Sequence, residues 1–152
     1  MLEWMHDDDV VGHLGTNFKE KSLEDCLHFI QWSAEAENDL HLAITDEDDN
    51  YMGTVSLKHI DRQIGTAEFA ITVRACAMGK GYSGFGMEQI LQMGIGELQL
   101  DAIYWCVSSA NVRAVRFYDK HGYGRTSCVP ESLLECYSNL SADLIWYRYP
   151  AF

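Results

Sequence analysis

The run Gly79-Lys80-Gly81-Tyr82-Ser83 follows a strand-like segment, Ala67-Glu68-Phe69-Ala70-Ile71-Thr72-Val73, and opens an apolar-periodic helix. A glycine-rich turn at a helix start presents backbone N–H groups that nothing inside the helix can accept. They sit at the positive end of the helix dipole, which suits them to holding phosphate. Glycines also make ordinary turns, so the run gains weight only beside a second element, Asn111 to Tyr123. There Asn111 stands where it would cap a helix and Gly122 where it would end one.

The elements that would carry these residues follow from periodicity. Ser22 reads as the N-cap of a helix with Leu23, Cys26, Leu27 and Ile30 on one face. Strands at about 41–45 and 51–60, joined by the polar turn Asp46-Glu47-Asp48-Asp49-Asn50, read as a hairpin, and a third strand spans about 67–73. After the glycine turn, Met87, Ile90, Leu91, Gly94, Ile95 and Leu98 recur at three- and four-residue steps. A short strand at 102–108, a helix at 111–121 and tail strands, the clearest at 144–149, complete the chain. Strand, turn, helix, strand, helix is a βαβα unit, whose strands should be parallel and its crossover right-handed. The expectation is an α/β protein with a mixed sheet and helices on its faces.

At 152 residues and 47% hydrophobic content, the chain is read as a single domain, 1–152, with a real core. No apolar run approaches the roughly 20 residues that span a bilayer, and the start does not resemble a secretory signal, so a cytoplasmic location is the default expectation. A net charge of −12 argues against nucleic-acid binding and leans gently toward cationic substrates such as amines, although solubility alone explains it. Five cysteines without a Cys-x-x-Cys pair fit neither a disulfide framework nor a zinc site, and no metal is expected. The acidic turn at 46–49 lacks the glycine and closing glutamate of a calcium loop, since Tyr51 and Leu57 stand there.

Glu68 to Tyr123 resembles the GNAT acyl-CoA N-acyltransferase superfamily, in the branch of ribosomal-protein alanine, spermidine and amino-sugar N-acetyltransferases. The features are Ala67-Glu68-Phe69-Ala70 leading to the glycine run, Asn111-Val112-Arg113-Ala114-Val115, and Phe117-Tyr118-Asp119-Lys120-His121-Gly122-Tyr123. The resemblance implies a mostly antiparallel sheet splayed between two parallel strands, with helices on both faces. It implies acetyl-CoA as the acyl donor. Its pyrophosphate would rest on the amides of Gly79, Lys80, Gly81, Tyr82, Ser83 and Gly84, and its pantetheine arm on Ile71, Thr72 and Val73. Met78 and Ser83 depart from the family's phosphate motif, which usually begins with Arg or Gln and often ends in Gly or Ala. Relatives also usually begin with a strand before the segment resembling Leu2-Glu3-Trp4. That first strand is expected to be missing here, leaving an open sheet edge and the possibility of a homodimer.

In this resemblance Tyr118 is the general acid that protonates the departing thiolate; its ordinary reading is a packing tyrosine. Glu68 is the general base toward the amine, directly or through water; its ordinary reading is a solvent-facing strand glutamate. Asn111 caps its helix and would also hold the pantetheine or an ordered water. His59 could share the acceptor site or relay a proton, but reads more simply as structural. Cys76 has no neighbouring base and is not expected to act as a nucleophile. The implied function is direct acetyl transfer to a primary amine, on a small molecule or a protein N-terminus, in a ternary complex. A catalytically inactive acyl-CoA-binding or regulatory module and a structural module without coenzyme are the alternatives.

Overall fold

The structure is a computed structural model that describes residues 1–12, 14, 17–140 and 143–151. Six strands form one sheet in the order β1-β2-β3-β4-β6-β5. They are β1 Leu40–Thr45, β2 Tyr51–Asp61, β3 Thr66–Val73, β4 Ala102–Ser108, β5 Gly124–Arg125 and β6 Leu144–Tyr149. The helices are α1 Leu2–Met5, α2 Asp8–Val11, α3 Leu23–Glu35, α4 Tyr82–Gly96, α5 Val112–Lys120 and α6 Glu131–Cys136. All neighbouring strands are antiparallel except β3 and β4, which are parallel. This is the mixed sheet that periodicity predicts and the mostly antiparallel one that the resemblance implies. Among the described residues no strand precedes α1, and β1 is the outer strand.

The parallel pair holds for only three rungs: Thr66↔Ala102, Ala67↔Ile103 and Glu68↔Tyr104. Beyond them each strand stays extended on its other partner, β3 on β2 as far as Gly53↔Val73 and β4 on β6 as far as Ser108↔Leu144. The sheet therefore opens between Phe69–Val73 and Trp105–Ser108 without either strand losing its own ladder.

Side-chain alternation separates the two faces of the sheet. Leu57, Phe69 and Ile103 point to one face, where they join Met87, Ile90 and Leu91 of α4 in the main core. Tyr104 and Ala102 point to the other, where Leu133 of α6 covers them. β3 is covered on both faces, which explains why Thr66, Ala67, Glu68 and Phe69 are all buried. A second cluster, Trp4, Met5, Val11 and Cys26, joins α1 and α2 to α3. Arg74 ties α1 to the end of β3 through Glu3, with Nη2 2.7 Å from Oε2, and donates to the Tyr51 carbonyl at 3.1 Å.

Two expectations need correction. Ser22 caps α3 in a capping box with Asp25, but Leu23, Leu27 and Ile30 do not face the core: they are 63%, 52% and 52% exposed. The stripe that turns inward is Cys26, Phe29 and Ser33, with Phe29 set edge-on against His41 of β1. An apolar face on a helix is blind to which neighbour it meets, and here the sheet lies one step around the helix from the expected side. The tail expected as strands also contains α6, a six-residue helix too short to show a period.

Leu57 is fully buried where α4 crosses β2. Leu57→Ala should lower unfolding stability by about 2–5 kcal/mol, read by urea denaturation, because the fixed strands and α4 cannot collapse into the cavity.

Candidate active site

After β3 the chain passes through a 3₁₀ turn, Ala75–Ala77, and Met78 into the glycine run. Gly79 and Gly81 take positive φ, 75° and 89°, and Gly81 is the N-cap of α4. Only glycine adopts this path without strain. A Cβ at either position would meet nothing within 4 Å, so the space before the loop is open. Among the described residues no protein acceptor takes the N–H groups of Gly79, Lys80, Gly81, Tyr82, Ser83 or Gly84. The loop is a cradle of free donors beside the mouth of the sheet opening.

Asn111 caps α5, its Oδ1 accepting from the Ala114 N–H at 3.2 Å. From the first turn of that helix Arg113 reaches back to the loop, with Nη1 2.9 Å from Met78 Sδ. No carboxylate lies within ion-pairing distance of Arg113 among the described residues, in a chain with 23 acidic and 11 basic side chains.

Tyr118 is buried on the inner face of α5, edge-on to Trp105 at 5.5 Å and tilted against Tyr147 at 5.1 Å. Burial holds its phenol well above the usual tyrosine range, so it carries its proton at neutral pH. Asp119 fixes this end of α5, accepting from the Tyr147 hydroxyl at 3.0 Å and from both arms of the Arg125 guanidinium.

Glu68 is not a solvent-facing glutamate: it is 2% exposed, at the last rung before the sheet opens. Its Oε1 accepts from the Tyr137 hydroxyl. Its Oε2 is buried without a hydrogen bond, 3.4 Å from His59 Nε2 and 3.7 Å from Lys58 Nζ. Burial raises the Glu68 pKa above the usual carboxylate value, opposed by the charges of Lys58 and His59. On the same face of β4, burial and the nearby Glu68 carboxylate push the Cys106 thiol up to about 12, so it remains a protonated thiol.

Glu68 pairs with Tyr104, and the following residue, Trp105, faces the opposite side and packs on Tyr118. The Glu68 carboxylate and the Tyr118 phenol therefore lie on opposite faces of the sheet at the start of the opening. Ile71, Thr72 and Val73 line the opening with a strand edge that has no partner on the β4 side. Glu68, Ile71, Thr72 and Val73 thus lie along one gap, with the glycine loop following the same strand, and His59 approaches Glu68. Cys76 lies exposed in its turn, and Asp46 spends its carboxylate on the N–H groups of Asp48 and Asn50, closing the acidic loop on itself.

Sequence reasoning missed Lys58, Arg113 and Tyr137. Lys58 is the direct cross-strand partner of Glu68, which hairpin register could have shown. Arg113 stood within the Asn111 motif without a stated role. Tyr137 lies 69 residues from Glu68, and no local signal links them.

Residues 1–124 match the family model described as acetyltransferase (GNAT) domain. The chain belongs to the GNAT acetyltransferase family, and it is an N-acetyltransferase. Similar solved structures share its fold. Spermidine N-acetyltransferase from Vibrio cholerae in complex with CoA and spermine aligns with a TM-score of 0.76 at 18% identity, covering 97% of this chain and 84% of that one. A point mutant of the Vibrio cholerae enzyme aligns with a TM-score of 0.73 at 22% identity, covering 97% and 88%. A chimera of it with hSSAT aligns with a TM-score of 0.68 at 23% identity, covering 84% and 75%. No curated protein matches the sequence.

The buried carboxylate has a consequence for stability. In the unfolded chain Glu68 ionises near the ordinary value of 4.5; in the folded protein it ionises at higher pH. The folded state is then favoured below 4.5 and loses that advantage as pH rises through the folded value. Glu68→Gln should therefore unfold at higher urea than the wild type at pH 7, with the difference shrinking as the pH falls toward 4.5. Equal midpoints at both pH values would show that the ion pairs offset the whole desolvation cost.

Proposed function

We propose that this chain moves an acetyl group from acetyl-CoA to a primary amine by direct attack in a ternary complex. The observation that carries this reading is one juxtaposition: a parallel strand pair that opens after three rungs, beside a loop of free amide donors. An extended, hydrogen-bonding arm fits the opened strand edge, and a pyrophosphate fits the loop. The coenzyme supplies the activated acetyl thioester. The amides of Gly79 through Gly84 hold its pyrophosphate, and Arg113 adds the cation that Met78 does not. Ile71, Thr72 and Val73 pair with the pantetheine arm, and Asn111 holds the arm or an ordered water. A backbone N–H of Ile71 to Val73 polarises the thioester carbonyl. Glu68 accepts the proton the amine must lose, and Tyr118 donates one to the departing thiolate.

The acceptor we propose is a small-molecule amine or a protein N-terminal amine. The spermine-bound neighbour supports the first, as does the net charge of −12. We read residues 1–152 as one cytoplasmic domain that binds neither nucleic acid nor membrane. β6 threads between β4 and β5, so residues beyond 124 complete the sheet, and no helix among the described residues is long and apolar enough to cross a membrane. Among the described residues no strand pairs with the outer edge of β1, which offers a surface for a homodimer.

Calorimetric titration with acetyl-CoA tests the coenzyme site. Wild type should bind saturably, and Gly81→Glu should lose binding while remaining folded, since its new side chain faces open space but brings a carboxylate and strain to the cradle. Arg113→Ala should weaken binding about tenfold or more, the scale of a charged hydrogen bond. Folded wild type that does not bind would overturn the transfer reading. With an amine accepted in a panel, Tyr118→Phe should lower kcat about 100-fold or more and leave the KM for acetyl-CoA nearly unchanged. Coenzyme binding without turnover of any amine would instead favour a non-catalytic acyl-CoA-binding module.

A further inference from the structure

The buried end of Glu68 is asymmetric. Oε1 is taken by the Tyr137 hydroxyl, while Oε2 has no hydrogen bond and points at His59 and Lys58 from 3.4 and 3.7 Å. Tyr137 belongs to the end of α6, beyond the residues that the family match covers. That helix is anchored independently of Glu68: Leu133 is buried against Ala102 and Tyr104, and the Tyr137 ring meets Trp146 of β6 edge-on at 5.4 Å. The hydroxyl is thus delivered to the carboxylate by a helix already fixed on the sheet.

We propose that Tyr137 is a positioning residue for Glu68: its hydroxyl holds Oε1 and leaves Oε2 as the oxygen that takes the acceptor's proton. This inference rests on the transfer reading given above. A carboxylate buried to this degree has two ways to avoid an uncompensated charge. It can protonate, or it can be given donors. Lys58 and His59 supply charge without a hydrogen bond to Oε2, while Tyr137 supplies a donor to Oε1. A phenol hydrogen bond stabilises the ionised form, while Oε2, buried but without a hydrogen bond, keeps its lone pairs for a proton. The proton balance is simple. The ammonium N–H bond breaks, an O–H bond forms at Oε2, and the nitrogen lone pair is released for attack on the carbonyl.

The groups that face Glu68 are Lys58 and His59 from β2, Cys106 and Tyr104 from β4, Asp39 ahead of β1, and Tyr137 after α6, with Cys136 Sγ 4.0 Å from His59 Nε2. Among them only the Tyr137 hydroxyl donates a hydrogen bond to the carboxylate, to Oε1. Removing its hydroxyl should therefore make protonation of Glu68 easier.

Tyr137→Phe isolates the hydroxyl, because the ring that anchors α6 on Trp146 is kept. The carboxyl carbon of Glu68, followed by ¹³C NMR against pH in the coenzyme-free protein, should titrate about one unit higher in the variant. The acidic limb of kcat/KM should move upward with it, so that the loss of rate is largest at low pH and recovers as pH rises. In a Glu68→Gln background the same substitution should leave the pH profile unchanged, since it acts only through that carboxylate. An unchanged carboxyl titration, or an equal loss of kcat/KM at every pH and in both backgrounds, would overturn the proposal. The titration needs no turnover, so it decides the positioning role even if the protein transfers no acetyl group; absence of turnover would sink the transfer reading alone.

Discussion

Three rungs of parallel ladder, and no more, hold β3 against β4. Everything that bears on function depends on where that ladder stops. A strand edge inside a protein ordinarily carries its hydrogen bonds to a neighbour, because a buried unpaired amide or carbonyl costs about as much as a lost hydrogen bond. Here two strands part while each keeps a full partner on its far side, β2 for β3 and β6 for β4. The opening is thus rigid on both flanks and polar along its walls. Trp105, stacked on Tyr147 and edge-on to Phe69 and Tyr118, fills the first space behind the last rung on one face. An aromatic body there keeps the strands from closing again.

The other face of that same rung holds Glu68. Burying a carboxylate is unfavourable unless donors and cations attend it, and here Tyr137, Lys58 and His59 come from two separate elements to do so. A group kept at such a cost, at the mouth of a gap, is what an acid–base site looks like in energetic terms. The phenol of Tyr118 on the opposite side is shifted upward by burial as well, which keeps it a donor. Burial thus raises the proton affinity of both groups, which lie on opposite faces of the sheet at the last parallel rung.

Family membership and local chemistry diverge at two places. The glycine run keeps the backbone path of a phosphate cradle although Met78 brings no charge, and Arg113 approaches from α5 to the same spot. Because amides do most of such binding, a side chain can migrate to a neighbouring helix without the loop changing shape. The exposed Leu23, Leu27 and Ile30 of α3 mark a second divergence, where a helix presents apolar surface outward and meets the sheet through a different stripe.

By itself the sequence determined the order and kind of the main elements. Alternation in 51–60, the three- and four-residue steps after Gly81, the caps at Ser22 and Asn111 and the glycine at 122 are local signals, and they fell where β2, α4, α3 and α5 begin and end. It also pointed to the glycine cradle, because positive φ is a demand on a single residue that glycine alone meets cheaply. Only the tertiary structure decided that Glu68 is buried, that the Glu68–Tyr104 rung is the last, that α3 turns Cys26 inward, and that Tyr137 and Arg113 reach the site. Each of these depends on contacts between segments far apart in the chain. Propensity and periodicity describe a residue's near neighbours; burial, pairing length and proton affinity are set by what folds on top of them.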